Sequence, residues 1–174
     1  MPRTTSKTRT TSAQFGALLQ QHRGIVLKVA SAYCRNPADR DDLAQEIAAQ
    51  LWRSFPSFDP GKTFSTWMYR VALNVAISFA RSRTVREQHT VALDENVPDP
   101  IDENAADAET DEHLALLYAF IDRLDALNRA LLLLYLDERS HREIADILGI
   151  TETNVATKIS RLTRRLREET NDGS

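Results

Sequence analysis

The stretch from Ser140 to Arg167 constrains the fold more than any other part of this sequence. It contains two short segments with apolar residues at helical spacing, separated by Gly149 and Thr151. Glycine can end a helix in a left-handed conformation, and threonine can accept a hydrogen bond from the first amides of the next helix. The second segment places its apolar residues on one stripe: Val155, Ile159, Leu162 and Leu166. The pattern predicts a helix-turn-helix.

The opposite face of the second segment is polar and basic. In a helix-turn-helix the second helix enters the DNA major groove, so this face is predicted to contact DNA. Its residues are Asn154, Thr157, Lys158, Arg161, Arg164 and Arg165. The alternative is a helical hairpin whose basic face is merely solvated. A small residue at Ala145, the turn at Gly149 and a branched residue at Val155 together favour the helix-turn-helix.

Apolar residues recur at helical spacing elsewhere too, and no stretch alternates in the manner of a strand. The 174 residues are 42% hydrophobic, which suits one domain or two small ones. The single cysteine, Cys34, lies on an apolar helical stripe and is predicted to be a small core residue. The longest apolar run, 130–136, is too short to span a membrane. We expect an all-α cytoplasmic protein.

Charge is strongly segregated along the chain. Residues 1–86 carry 13 Lys or Arg and 5 Asp or Glu, whereas residues 87–113 carry 10 acidic residues and no Lys or Arg. The pattern predicts two small helical domains, 13–86 and 114–170, joined by a flexible acidic linker at 87–113 after a disordered tail at 1–12. An extended linker would let the two domains tumble semi-independently.

Three helices are predicted before the linker, at about 13–34, 37–55 and 64–83. His22 lies on the apolar stripe of the first and is interpreted as a packing residue. The outward face of the second helix carries acids and amides: Asp39, Asp42, Gln45 and Glu46. Acids in a first turn complement the helix dipole, but the polar residues one turn later favour a docking surface for a basic partner.

The third predicted helix has an apolar stripe and a basic outer face. The stripe consists of Met68, Val71, Ala72, Val75 and Phe79, and the outer face includes Arg70, Asn74, Arg81 and Arg83. Six aromatic residues, from Trp52 to Tyr69, lie near the start of this helix. Trp52 is expected to face inward. The six residues are interpreted first as the core of a small domain, which needs large side chains. A platform that stacks unpaired bases is the alternative.

Three segments together resemble one family, the bacterial RNA polymerase sigma factors of the extracytoplasmic-function type. Residues 40–55 (RDDLAQEIAAQLWRSF), preceded by Asp39, are similar to its polymerase-binding helix. Residues 62–83 (KTFSTWMYRVALNVAISFARSR) resemble its promoter −10 segment, and residues 131–167 resemble its −35-reading domain. The sequence differs from the family's usual pattern at Asp125, where the family often has proline, and near Glu138, where glycine is common.

The resemblance implies roles for several residues. The acidic face of Asp39, Asp42, Gln45 and Glu46 would bind the β′ clamp of core RNA polymerase. Phe64, Trp67 and Asn74 would lie near the −10 element, where a base is unstacked. Three arginines, Arg70, Arg81 and Arg83, can hold the phosphates alongside. An anti-sigma factor is the expected inhibitor, and no cofactor or metal is expected.

Two other classes of protein remain as alternatives. A stand-alone helix-turn-helix regulator would bind a palindrome tightly without polymerase. A nucleic-acid enzyme is disfavoured, because the five glycines form no phosphate loop and no His/Cys cluster suggests a catalytic metal. A promoter-specificity subunit, which is not an enzyme, is the leading hypothesis.

Overall fold

The computed structural model describes residues 5–89 and 108–172. Eight α-helices account for most of these residues, and no strand occurs among them. The helices are α1 (Thr5–Gln21), α2 (Arg23–Tyr33), α3 (Pro37–Ser54), α4 (Phe64–His89), α5 (Ala108–Asp122), α6 (Ala126–Leu136), α7 (His141–Leu148) and α8 (Glu152–Asp172). A single 3₁₀ turn, Phe55–Ser57, follows α3. The predicted all-α class is confirmed.

The first predicted helix is two helices in the structure. His22 leaves the helical region, with φ −111° and ψ 15°, and separates α1 from α2. Gly24 lies two residues later, and glycine lowers helix propensity, so the break costs little there. Helix α1 begins at Thr5, within the stretch predicted to be a disordered tail. Residues 1–4 of that stretch lie outside the described residues.

The starts of α3 and α6 follow from their capping residues. The side chain of Asn36 accepts a hydrogen bond from the amide of Ala38 at 2.8 Å, and Pro37 opens α3. Asp125 caps α6 in the same way, accepting from the amide of Asn128 at 2.8 Å. An acidic cap therefore replaces the proline that is common at position 125 in the family that the sequence resembles.

Helix α4 buries a wider surface than its predicted stripe. Tyr69, Leu73 and Ala76 are buried with Met68 and Ala72, whereas the predicted stripe residues Val71, Val75 and Phe79 are only partly buried. The cause is that α4 contacts helices on several sides, namely α2, α3, α6 and α7. A stripe read from sequence assumes one neighbouring surface.

The two halves of the chain pack against each other. Helices α2, α3 and α4 form one bundle, and α5, α6 and α7 pack around α8. Helix α4 also contacts α6 and α7, and α2 contacts α6. The sequence predicted that the acidic linker would let the two halves move semi-independently, whereas the structure packs them against each other. The linker's ends belong to α4 and α5, and its centre, residues 90–107, lies outside the described residues.

Candidate functional site

The helix-turn-helix is built by local hydrogen bonds at each end of its turn. Ser140 and Glu143 form a reciprocal capping box at the start of α7. Gly149 ends α7 with φ 68°, and its amide donates to the carbonyl of Ala145 at 2.9 Å. The hydroxyl of Thr151 accepts from the amide of Asn154 at 3.1 Å and so caps α8. The turn chemistry predicted from the sequence is confirmed.

The buried stripe of α8 fixes which of its faces points outward. Val155, Ile159 and Leu162 are buried. Of the six residues predicted to contact DNA, Lys158 is partly buried and five are exposed: Asn154, Thr157, Arg161, Arg164 and Arg165. The exposed residues form one continuous surface along the helix, as an insertion into a groove requires.

Two of the predicted DNA-contacting arginines have partners within the protein. The guanidinium of Arg165 lies 5.7 Å from the centroid of the Phe120 ring on α5. Arg164 lies 3.8 Å from the carboxylate of Glu168, one turn along α8. The Arg164–Glu168 pair is exposed and contributes little to stability. The stacking on Phe120 was not visible in the sequence because the residues are far apart in the chain.

The acidic face of α3 is largely available to a partner. Asp42, Gln45 and Glu46 are exposed. Asp39 is instead half-buried and forms an ion pair with Arg83 of α4 at 3.1 Å. Those two residues were predicted to contact different partners, polymerase and DNA, yet the structure pairs them with each other. The pair links the start of α3 to the C-terminal half of α4.

A groove of about 970 Å³ runs between α3 and α4. One wall carries the carboxylates of Asp42 and Glu46, and the other carries Asn74, Ser78 and Arg83. Asn74 is exposed, as predicted. It therefore lies across from the acidic face of α3 as well as on the α4 surface predicted to meet DNA.

The aromatic residues around the start of α4 form a cluster. Phe64 is buried, and its ring centroid lies 5.4 Å from both Phe58 and Trp67 and 5.3 Å from His22. The core interpretation therefore holds for Phe64, and His22 packs as expected. Trp52 differs from its predicted inward position: it is 47% exposed and meets the cluster only at its edge.

The remaining two −10 candidates lie in different surroundings. Arg81 is exposed on the outer part of α4. Arg70 is also exposed, but its guanidinium donates to the backbone carbonyl of Asp146 on α7. Arg70, which was predicted to contact DNA, is thus bound to the second half of the chain. Sequence spacing within a single helix gives no sign of this contact.

A polar cluster between the two halves was missed by the sequence analysis. Asp137, which follows α6, accepts hydrogen bonds from the hydroxyl of Tyr69 at 2.8 Å and from the ammonium of Lys28 at 2.5 Å. Arg139 donates to the same carboxylate at 3.2 Å and to the hydroxyl of Ser65 at 3.2 Å. No local motif marks this cluster, because the partners of Asp137 in the first half, Tyr69 and Lys28, lie 68 and 109 positions away from it.

The cluster changes the acidity of its members. Partial burial raises the pKa of Asp137, but hydrogen bonds from Lys28, Tyr69 and Arg139 outweigh it and hold that pKa below its ordinary value. Burial and the hydrogen bond to Asp137 raise the pKa of Tyr69. The carboxylate is therefore charged and the phenol neutral at neutral pH. Burial likewise raises the pKa of the Cys34 thiol, which is buried as predicted.

The described ranges contain no group of three or more His, Cys, Asp or Glu side chains that could hold a metal ion. Nor does any helix within those ranges have the length and apolar character needed to cross a membrane.

Two family models match the two halves of the chain. Residues 18–86 match sigma-70 region 2, and residues 114–166 match sigma-70 region 4. The fold and these matches define a sigma-70-type protein with one region in each half.

The chain is also similar to known sigma factors. The RNA polymerase sigma factor NccH of Alcaligenes xylosoxydans xylosoxydans is 29% identical over 160 residues, covering 87% of this chain and 84% of NccH. The ECF RNA polymerase sigma factor SigW of Bacillus subtilis is 24% identical, covering 91% of this chain and 89% of SigW. The fold matches the sigma factor RpoE, solved in complex with the anti-sigma factor NepR from Bartonella quintana, with a TM-score of 0.66 at 19% identity, covering 92% and 96% of the two chains. The chain belongs to the extracytoplasmic-function type of RNA polymerase sigma factors.

Proposed function

We propose that this protein is a promoter-recognition subunit. It joins core RNA polymerase, binds promoter DNA at two elements and has no catalytic role of its own. The observation that carries the proposal is the presence in one chain of a helix-turn-helix and of a separate bundle with an acidic, exposed helix face. A stand-alone repressor needs the first feature but has no use for the second. The division into 13–86, 87–113 and 114–170 is part of the proposal.

The polymerase-binding surface is the outward face of α3. Asp42, Gln45 and Glu46 are exposed and present two carboxylates and an amide side by side. Such a surface suits a basic protein partner, since opposite charges speed encounter and fix orientation. Asp39 contributes mainly by positioning, because its carboxylate is paired with Arg83.

The −35 surface is the exposed side of α8. Asn154 and Thr157 lie at the N-terminal end, which a helix-turn-helix directs at base edges. Lys158, Arg161 and Arg164 follow along the same side and supply cations for the phosphates. Arg165 lies at the margin, where it exchanges the Phe120 ring for DNA.

The −10 surface lies on α4 and divides into two kinds of contact. Arg70 and Arg81 are exposed cations suited to phosphates. Asn74 can donate and accept hydrogen bonds to an unpaired base. Phe64 is buried, so it supports the surface from below, and Trp67, which is partly exposed, is the aromatic ring closer to solvent.

An anti-sigma factor is the proposed regulator. Support comes from RpoE, a protein of the same fold that has been solved with the anti-sigma factor NepR. We place the protein in the cytoplasm, where core polymerase and promoters are found.

Reconstituted transcription tests the proposal. Purified protein is mixed with core polymerase and genomic DNA, and transcript starts are sequenced. We expect starts that share two upstream motifs and require both components. The double reversal of Asp42 and Glu46 to Lys serves as the negative control, and Glu112→Lys is a single reversal at another exposed site that is expected to keep activity. Tight binding to a palindrome without polymerase, and no new starts with it, would instead identify a stand-alone regulator.

A further inference from the structure

The side chain of Arg83 on α4 joins the three helices of the first bundle at one point. Its Nη1 lies 3.1 Å from the carboxylate of Asp39, in the first turn of α3. Its Nη2 lies 3.7 Å from the carboxylate of Glu87, one turn further along α4. The thiol of Cys34, at the end of α2, is also a neighbour: burial raises the pKa of that thiol, and the charge of Arg83 opposes the rise. Groups of its own chain therefore surround the guanidinium.

The charges around Arg83 are poorly suited to a DNA phosphate. Two carboxylates lie within 4 Å of one guanidinium, so the negative charges outnumber the positive one. A phosphate oxygen could bind Arg83 only by displacing a carboxylate, and the half-buried Asp39 would then lose its partner. Arg81, two residues earlier on the same helix, is exposed and is better placed to meet a phosphate.

The ion pair of Asp39 with Arg83 fixes how α3 lies along α4. The start of α3 meets the C-terminal half of α4, and only residues 55–63 connect the two helices, so they run antiparallel. Apolar packing between helices is not directional and tolerates small slides. On the side of the groove the helices are not packed together, and Arg83 and Asp39 both line that groove. The pair therefore holds the two helices together where apolar contacts do not.

Two positions that the proposed function uses depend on this placement. Glu46 lies seven residues after Asp39, about 10 Å along α3. Asn74 lies nine residues before Arg83, about 13 Å along α4. A slide or rotation of one helix against the other changes the separation of Glu46 from Asn74.

The separation matters only in the assembled complex. Polymerase holds the carboxylates of α3, whereas the unpaired base meets Asn74 on α4. Each contact alone is satisfied at any separation, but both together require one. Binding groups need supporting side chains that hold them within about 0.5 Å of the productive geometry.

We propose that Arg83 is a positioning residue, which together with Asp39 sets the place of the −10 surface on α4 relative to the polymerase surface on α3. It acts through the placement of the two helices and contacts neither DNA nor polymerase. Arg81 is then the phosphate contact at this end of α4. The inference rests on the proposed function, because it concerns the geometry between the two proposed surfaces.

A double-mutant cycle in the full chain tests this role. Asp39→Asn and Arg83→Gln each remove one charge of the pair and keep a polar side chain. We expect each to lower the fraction of open complexes formed with core polymerase about two- to fivefold, the range that an exposed ion pair allows. The double variant is expected to match the single variants, since one pair can be broken only once. Arg83→Lys retains the charge and is expected to stay within about twofold of wild type.

Arg81→Gln is the matched control on the same helix. As a phosphate contact it is expected to weaken DNA binding and to lower the salt slope by about one. Its loss is expected to multiply with that of Asp39→Asn, because the two residues act independently.

Polymerase affinity without DNA and thermal unfolding separate positioning from stability. Asp39→Asn and Arg83→Gln are expected to keep the polymerase affinity of wild type while open complexes fall. A pair that only adds stability would change the melting temperature and leave open complexes per folded protein unchanged. The measurement is therefore made at a temperature where circular dichroism shows every variant folded.

The outcomes distinguish this inference from the proposed function. Losses that multiply in the double variant, with the salt slope lowered by Arg83→Gln and polymerase affinity lowered by Asp39→Asn, would assign the two residues to separate partners and overturn the inference. Single variants that form open complexes as wild type does would also overturn it. A wild type that forms open complexes with polymerase on no promoter would instead refute the proposed function, and this inference with it.

Discussion

Glu138 is strained, and replacing it by glycine is expected to stabilise the protein. It has φ 57°, and it is the only described residue other than glycine with a positive φ. It follows α6 in a Schellman arrangement, in which the amide of Glu138 donates to the carbonyl of Tyr135 at 3.0 Å and that of Arg139 donates to Leu134 at 3.1 Å. The left-handed conformation is thus imposed by the end of the helix.

The size of the effect follows from two opposing terms. A side chain in the left-handed conformation costs about 1–2 kcal/mol, which Glu138→Gly removes. Glycine gives the unfolded chain more freedom, which costs roughly 0.5–1 kcal/mol. The net gain in the free energy of unfolding is therefore centred on about 0.75 kcal/mol, with an outer range of about 0–1.5 kcal/mol.

Urea denaturation followed by circular dichroism measures this gain. Glu138→Ala is the control, because it removes the side chain and keeps the strain, so its midpoint is expected to stay close to that of wild type. Gly149→Ala is expected to lose about 0.5–1 kcal/mol, since Gly149 has φ 68° and a Cβ there would meet no neighbour, so the same two opposing terms apply with reversed sign. Destabilisation by Glu138→Gly with a gain from Glu138→Ala would refute the backbone argument and implicate the carboxylate.

Four further predictions concern function. Reversing Asp42 and Glu46 to Lys is expected to abolish binding to core polymerase in a pull-down and to leave the circular dichroism spectrum unchanged, since both residues are exposed. Arg161→Ala is expected to weaken binding to the −35 element by about 1–3 kcal/mol if it reads a base, and a titration in salt separates this from a phosphate contact, which lowers the slope by about one. Asn74→Ala is expected to reduce open complexes, measured by permanganate reactivity of unpaired thymines, and a pre-melted −10 bubble should recover much of the loss. The pKa of Asp137 is lowered in the folded protein, so the charged carboxylate contributes to docking of the two halves above the ordinary aspartate pKa of about 3.9. That contribution is lost as the pH falls through the pKa that Asp137 has in the folded protein. A radius of gyration that stays constant down to acid pH would contradict this.

The sequence predicts well whatever depends on neighbouring residues. The turn at Gly149 and the cap at Thr151 involve partners within four residues, and both lie where the sequence placed them. The capping box at Ser140 is equally local, although it was not predicted. Capping chemistry is local, so composition and spacing suffice. The buried stripe of α8 follows from the same periodicity, because α8 uses one face for packing.

The sequence predicts poorly whatever depends on how helices meet. Tyr69 was grouped only with the aromatic residues, yet its hydroxyl contacts Asp137 in the other half. Asp39 and Arg83 were given different partners, although they pair with each other. Charged residues on two helices look alike in sequence whether they face solvent or each other, so only the packing of the helices distinguishes these cases.

The groove between α3 and α4 brings the proposed polymerase and −10 surfaces close together, and this restricts how Asn74 can meet DNA. Carboxylates of Asp42 and Glu46 line the wall opposite Asn74, so a phosphate placed inside the groove would be repelled. A base carries no net charge and can approach the amide if its phosphates stay on the side of Arg81. Once a basic segment of polymerase covers the α3 carboxylates, that repulsion falls. Binding of polymerase would then favour entry of the unpaired base, so that recognition at Asn74 follows assembly with polymerase and does not precede it.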